Sequence, residues 1–443
     1  MPRSRRVLGQ ELPRRQFLGT AAALGGAAML PGFAMFKGAK ADTIQLTSVA
    51  AMVAEAEVAW EMEMAEKWNG QHPEAQWVPE RVGWEAIFEK VLAYETAGSP
   101  PNLGYGWTGF TADWHQIGII SAPEDYLGEA WKDRFAPHLT TSGGDVIDGK
   151  LWVVPIQAAA YGIVTRKDWL QEAGVEAAAV KTWDDLVDAV GKVAKLKNNQ
   201  PFGIPLGNAR NAGEKTDWFF TGNGLLHLAD FDPAKRDNYI EVLETLRRLR
   251  PYISDNALSQ DYTGHRQAFA TGVAGFISIG DYYFGEIYPT AKDLMTPEHV
   301  SLIPYPSGSK GPGVFSKFDM NCYYMMANAP NKEKTAELID FITQPESLLR
   351  WSLGHPPLKE WTVDEAVANR LYGEAERWWL EEVLGIVRNV SMVATEGYVA
   401  KNEVQQVYYE HLLKVFDDSM TPAQAYDAMQ ERIPKLIEEA KSG

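Results

Sequence analysis

The chain has 443 residues and a formal net charge of −17, with 45% apolar and 23% charged residues. That length allows two or three domains with ample core, and the acidity excludes nucleic-acid binding through a broad basic surface. A single cysteine, Cys322, excludes an internal disulfide and reads as a small buried hydrophobe. Fifteen Trp, 18 Tyr and 17 Phe exceed what an ordinary core of this size uses. Many belong to the core, and the surplus fits a protein that stacks on flat ligands.

The chain opens basic: residues 1–41 hold seven Lys or Arg against Glu11, a net +6 that leaves −23 for the remainder. Residues 13–19, PRRQFLG, resemble the twin-arginine export signal S/T-R-R-x-F-L-K, with Arg14 and Arg15 as the pair. Pro13 and Gly19 depart from it. Leu18 to Phe36 is an Ala/Gly-rich run broken by Pro31-Gly32, too weakly apolar for a membrane span of about 20 residues. Ala39-Lys40-Ala41 supplies an A-x-A cleavage site. The expectation is a signal peptide over 1–41, export by the twin-arginine machinery, and a mature chain free in the periplasm from Asp42.

From there strands and helices alternate. Thr43 to Val49 reads as a strand, and Glu55 to Asn69 as a helix with Trp60, Met64 and Trp68 at i, i+4 and i+8. Gln76 to Pro79 is a second strand, and Trp84 to Ala97 a second helix that Gly98 ends. This order predicts an α/β lobe. Residues 104–109 spell G-x-G-x-x-G, but Pro100-Pro101 precede a very short run, so the context of a dinucleotide fingerprint is missing.

Residues 147–174, IDGKLWVVPIQAAAYGIVTRKDWLQEAG, are the pivot of the chain. Asp148-Gly149 between apolar runs predicts a tight hairpin. Pro155 interrupts an extended run that continues to Thr165; a residue with no N–H suits an edge or a crossing between two bodies. Arg166-Lys167-Asp168 leads into a short helix that Gly174 can end in the left-handed conformation. This stretch resembles the block G-x-x-Y-G-[IV]-P…Y-G-[IL]-x-Y-[NR]-K-D-[LW]-[LF]-x-x-A-G of the family 1 extracellular solute-binding proteins, the sugar-binding subunits of bacterial ABC importers.

Further blocks follow that family in order. TAGSPPNLGYGWTGF resembles its segment A-x-G-x-P-P-D-[VI]-x-x-x-x-W, with Asn102 in place of the Asp and Trp107 as the aromatic delivered to a cleft. KTWDDL at 181–186 matches K-T-W-[DE]-[DE]-L, where Thr182 and Asp185 also form a shortened capping box. AFATGVAGFISIGDYYF at 268–284 resembles [AF]-F-x-x-G-x-A-[AG]-[MF]-x-x-x-G-[PD]-[WY], which makes Asp281 and Tyr282 ligand contacts. Asn321 to Ala327 corresponds to a second crossing strand, and Asn331 to Thr343 to a helix capped by Asn331. Helices over 398–416 and 421–440 close the chain.

The resemblance implies an α/β fold of the periplasmic-binding-protein (type II) class, with two lobes, each a mixed sheet flanked by helices, and a ligand cleft between. One lobe would hold 42–155 and 325–385, the other 156–320 and 386–443. Trp107, Tyr161 and Tyr282 are expected to stack on a sugar ring, and Asp281 and Asp319 to bond its hydroxyls; Gln157 follows from the crossing block. Trp218 reads as core or as a further stacker, and His355 as a cleft or a surface-loop residue. The implied function is capture of a sugar or oligosaccharide and its delivery, by hinge closure, to an inner-membrane ABC permease, with the protein a monomer and no enzyme.

Two alternatives stay open. The same scaffold could take a polyamine, an amino-acid derivative or an organic acid, for Val49-Ala50-Ala51-Met52 is apolar where some relatives carry charged ligand contacts. A twin-arginine-exported oxidoreductase or glycosidase is the third reading. Against it, the chain contains no H-E-x-x-H, P-loop, C-x-x-C or EF-hand spacing, and its eight histidines lack metal-ligand spacing, so no cofactor or metal is expected.

Overall fold

The computed structural model describes residues 43–52, 54–84, 86–141, 145–394 and 398–442. The export segment with Arg14 and Arg15 lies outside the described residues. The predicted alternation is present at the start: β1 (Ile44–Ala50) pairs in parallel with β2 (Ala75–Arg81) and β3 (Leu103–Trp107), linked by α1 (Glu55–Gln71) and α2 (Ile87–Thr96). Trp60, Met64 and Trp68 of α1 are buried, as their spacing requires. Their indoles also hold the helix in place: Trp68 Nε1 donates to Ala75 O (2.9 Å) and Trp60 Nε1 to Ser347 O (2.8 Å).

The Asp148-Gly149 turn joins β5 (Val146–Ile147) to β6 (Lys150–Leu151), with φ of 52° and 77° at the two turn residues. Beyond it run the two longest strands, β7 (Val154–Arg166) and β11 (Phe315–Met326). They pair antiparallel through Val154–Ala159 and Asp319–Tyr323. The register slips between Asn321 and Cys322, opposite Pro155, where β7 has no N–H to give. The expected crossing strand at 321–327 is therefore the far half of a longer one.

Around this pair the sheet runs β2-β1-β3-β11-β7-β9-β8, with β8 at Phe202–Gly203 and β9 at Phe276–Gly280. β10 (Val300–Ile303) joins β7, while β4 (Ile120–Ser121) and β12 (Ser391–Ala394) join β11. Parallel and antiparallel pairs are mixed. Among the described residues, the sheet has two halves that share only the crossing strands: β1 to β4 with the end of β11, and β8, β9, β10 and β12 with the end of β7 and the start of β11.

Helices α3 (Trp183–Lys197), α4 (Ala209–Thr221), α5 (Arg236–Leu249) and α6 (Tyr262–Ala270) cover the second half. Thr182 caps α3, its hydroxyl accepting from Asp185 N (3.2 Å) while the Asp185 carboxylate accepts from Thr182 N (2.9 Å). α7 (Lys332–Ile342) returns to the first half. Asn331 stands before it in the left-handed region with no side-chain cap, a departure from the expected capping role. α8 (Arg377–Asn389), α9 (Lys401–Phe416) and α10 (Pro422–Ser442) complete the chain.

Buried apolar side chains form two large clusters. One gathers Leu46, Trp60, Trp77, Tyr105 and Trp351 and reaches along the crossing to Ile279 and Trp379. The other joins Trp183, Phe219, Leu243, Tyr408 and Met429. Residues 377–385, expected in the first lobe, lie against the second half instead. Trp379 Nε1 donates to Asp281 O (2.7 Å), and the Glu382 carboxylate accepts from Leu302 N (3.0 Å) at the outer edge of β10. An exposed strand edge with free N–H groups is what draws this helix over.

Beside the crossing, the segment after Trp351 folds back onto β7. Ala158 and His355 exchange both backbone hydrogen bonds (3.0 and 3.1 Å), and Gly354, at φ 66°, approaches so closely that a Cβ would stand 2.5 Å from Ala158 O. His355 Nδ1 and Asp281 Oδ2 are 2.8 Å apart, and Asp281 also accepts from Ala160 N. Both side chains are buried, at 2% exposure each. This clasp ties three remote segments together. Replacing His355 with Ala strands the Asp281 carboxylate in the interior, and is expected to lower the unfolding free energy by about 2–3 kcal/mol in denaturant titration.

Candidate functional site

Between the two halves lies a cavity of about 300 Å³. Its floor is the crossing itself. Asp319 and Asn321 are two apart on β11 and face the cavity, while Met320 and Cys322 between and after them are buried on the opposite face. Tyr161 rises from β7 and Tyr282 follows the end of β9. Trp107 arrives from the first half at the end of β3. Gly106 and Gly109 make room for it: a Cβ at Gly106 would meet the Phe110 ring at 2.5 Å, and one at Gly109 the Trp107 ring at 2.3 Å. The glycines of the G-x-G-x-x-G stretch thus serve ring packing at a strand end.

The second half supplies the walls. Lys215 stands on α4, Tyr262 and Arg266 on α6, and Lys401 and Gln405 on α9. Three phenols form a line. Tyr262 and Tyr282 hydroxyls are 2.6 Å apart, and the Tyr161 hydroxyl lies 3.4 Å from that of Tyr282. Lys215 Nζ donates to the Tyr262 hydroxyl (2.8 Å). Each expected stacking ring carries a cation over it: Lys401 at 4.3 Å from the Trp107 centroid, Lys215 at 5.5 Å from Tyr161, and Arg266 at 5.6 Å from Tyr282.

Most of the charge is paired. Arg266 meets Glu286 (2.8 Å), Lys317 meets Asp217, and Glu214 takes both Arg210 (3.1 Å) and Lys401 (3.8 Å). Burial pushes the Asp319 carboxyl up to about 6, although the Tyr161 phenol and the Lys215 charge pull the other way. Burial also works to raise the Tyr262 phenol, but Lys215 and Arg266 outweigh it and hold Tyr262 below the usual phenol range. Among the described residues, five buried polar atoms on residues lining the cavity have no hydrogen-bond partner: Trp107 Nε1, Arg266 Nε, Glu286 Oε2, Tyr398 Oη and Gln405 Oε1. The charged, phenolic and amide side chains of the lining, with its rings, offer donors, acceptors and ring surface to a polar ligand.

Of the residues singled out from the sequence, the structure brings Trp107, Tyr161, Trp218, Tyr282 and Asp319 to the cavity. Trp218 is 2% exposed and stacked on Phe219 (3.7 Å) and Tyr305 (4.5 Å), which makes it largely a core residue at the cavity edge. Gln157, Asp281 and His355 do not line the cavity. Gln157 Oε1 accepts from Asn321 Nδ2 (3.1 Å) and Trp351 Nε1 (3.2 Å), and Asp281 and His355 bind each other in the clasp. Asn102, at the position where the family resemblance expects an acid, accepts from Thr47 N and donates to Pro330 O and Thr335 Oγ1. Its role is to join strand to helix.

Lys215, Tyr262, Arg266, Lys401 and Gln405 escaped the sequence reading. One signal was available for Lys215: α4 buries Asn211, Lys215 and Asp217 together with Trp218, Phe219 and Phe220, a helix too polar for its burial. Nothing local marks the others. Among the described residues, no cluster of His, Cys, Asp and Glu could hold a metal ion, and no helix is long and apolar enough to cross a membrane.

The sequence profile of the bacterial extracellular solute-binding proteins matches residues 54–348. A protein of Brucella abortus (strain 2308) described as a binding protein is 23% identical over 274 residues, which cover 60% of this chain and 64% of that relative. The chain thus spans somewhat under two thirds of the length of the curated relatives it matches. Among solved structures, the GacH receptor of Streptomyces glaucescens GLA.O superposes with a TM-score of 0.68 at 16% identity, covering 89% of this chain and 99% of that one. The maltose-bound MalE3 of T. maritima gives 0.67 at 17% identity, covering 89% and 100%. With a profile match over more than half its length and the same two-halved architecture, the chain belongs to the bacterial extracellular solute-binding protein family.

Proposed function

We propose that this protein captures a carbohydrate in the cleft between its two halves and hands it to the permease of an ABC importer. The observation that carries this reading is the cavity itself. It sets rings of Trp107, Tyr161 and Tyr282 beside polar lining residues such as Asp319, Asn321 and Tyr262, the combination a sugar's C–H faces and hydroxyls require. The ligands named for the solved neighbours, acarbose for GacH and maltose for MalE3, support the same class. We further propose that the Arg14-Arg15 segment directs twin-arginine export, that the mature chain works as a monomer in the periplasm, and that capture proceeds by hinge closure about β7 and β11.

A thermal-shift screen of saccharides tests the reading, since a ligand selective for the folded state at 100 times its Kd adds about 2.7 kcal/mol of stability. A saccharide that shifts wild type is expected to bind Trp107→Ala at least about tenfold more weakly in calorimetry, the scale of one lost ring contact with its hydrogen bond. No shift with any saccharide, set against a clear one with a polyamine, would remove the carbohydrate assignment.

Asp319 makes that binding depend on pH. Its carboxyl loses a proton near 6, and an ionised carboxylate accepts hydroxyl hydrogen bonds more strongly than a protonated one. Affinity for a neutral saccharide is therefore expected to fall as pH drops from 7.5 to 5, and to be flat over that interval in Asp319→Asn.

A further inference from the structure

We infer that the saccharide is acidic, and that its carboxylate is held by the Lys215 ammonium beside the phenols of Tyr262 and Tyr161. This rests on the carbohydrate reading above and narrows it.

Lys215 is 4% exposed, yet among the described residues no carboxylate oxygen comes within 4.0 Å of its nitrogen. An ammonium has three donors, and the hydrogen bond that Lys215 makes goes to a phenol, Tyr262. The neighbouring cations differ: Lys317, Arg266 and Lys401 each meet an acid. Glu214, Glu286 and Asp319 offset its charge from farther off, but none of them touches it, and a buried ammonium is held best by an acid in hydrogen-bond contact. Here it lines the cavity, where an incoming group can supply what the fold withholds. Asp319, the acid that shares this floor, hydrogen-bonds Tyr161 and sits beyond 4.0 Å of Lys215. Above about pH 6 it is ionised and offsets the ammonium without touching it.

The whole molecule makes the local cation more telling. A chain of net charge −17 repels anions at long range. An anion enters such a cleft only where a cation has no acid in contact; of the three cations over the rings, Arg266 and Lys401 each meet a glutamate and Lys215 does not. One ammonium without an acid partner matches the single charge of a carboxylate better than the double charge of a phosphate ester.

Calorimetry on the purified full chain at pH 7.5 decides this, with paired probes: digalacturonate against digalactose, cellobiouronate against cellobiose, and glucose 6-phosphate as the phosphate control. At least one acidic disaccharide is expected to bind about tenfold or more tightly than its neutral partner, the scale of one charge-assisted hydrogen bond. In K215M, checked for an intact melting transition, that ratio should fall to within about threefold, whereas K215R should keep the preference. If K215M does not fold, the wild-type ratios and K215R decide alone. Neutral members binding as well as acidic ones would overturn the inference while leaving the carbohydrate reading intact. So would an undiminished ratio in folded K215M, or glucose 6-phosphate outbinding every uronate. Failure of every saccharide to bind would sink both.

Discussion

Everything at the centre of this molecule depends on the antiparallel pairing of β7 with β11. Among the described residues, those two strands are the only ones shared by both halves of the sheet, and their side chains alternate about a common plane. One face carries Asp319 and Asn321 toward the cavity; the other buries Met320 and Cys322. The register shift opposite Pro155 keeps that alternation in phase on the cavity side although a donor is missing. A one-residue slip would put Asp319 in the core and Met320 in the cleft.

The second constraint is electrostatic. A cleft with five cations and five acids among its lining residues holds four of the cations by direct pairing, because desolvated charges are costly unless compensated. Glu214 answers both Arg210 and Lys401, Asp217 answers Lys317, and Glu286 answers Arg266. The acids are drawn from α4, which packs the second core, and from the Tyr283–Ile287 turn of helix, which packs the first, so the charge pattern is fixed by elements of both cores. Shape and polarity in the cavity are set by the same side chains.

How much of this could be read from the chain depended on distance along it. The tryptophan spacing in α1, the Thr182–Asp185 box and the Asp148-Gly149 turn are local devices whose physics acts within a few residues, and each took its expected form. The floor of the cavity was accessible too, since Trp107 and Tyr161 lie on strands that a family pattern marks, and Asp319 stands at the entry to the expected second crossing. The walls were not. Lys215 and Gln405 meet across one cavity from helices 190 residues apart, and nothing in either helix names the other. Asp281 and His355 show the reverse difficulty. A carboxylate after a strand-end glycine has the same local sequence whether it greets a ligand or a histidine, and only the return of the chain at Gly354 decided it. The surplus of tryptophan misled for a similar reason: Trp60, Trp68, Trp77, Trp114, Trp351 and Trp379 are fully buried, so the count reflects an aromatic core.

The contact of Lys401 with Trp107 joins the two sides of the cleft, for the indole stands at the end of β3 and the ammonium at the start of α9. The ring is crowded from Gly109 as well, so the surface offered to a ligand is one that the protein already occupies. Capture at this position is an exchange of partners. Any ring that covers the indole displaces an ammonium contact worth about 0.5–1 kcal/mol, and the observed affinity is what remains after that subtraction. The tryptophan therefore ranks its visitors by how far they outcompete a lysine, and weak stackers are turned away by a residue that never touches them.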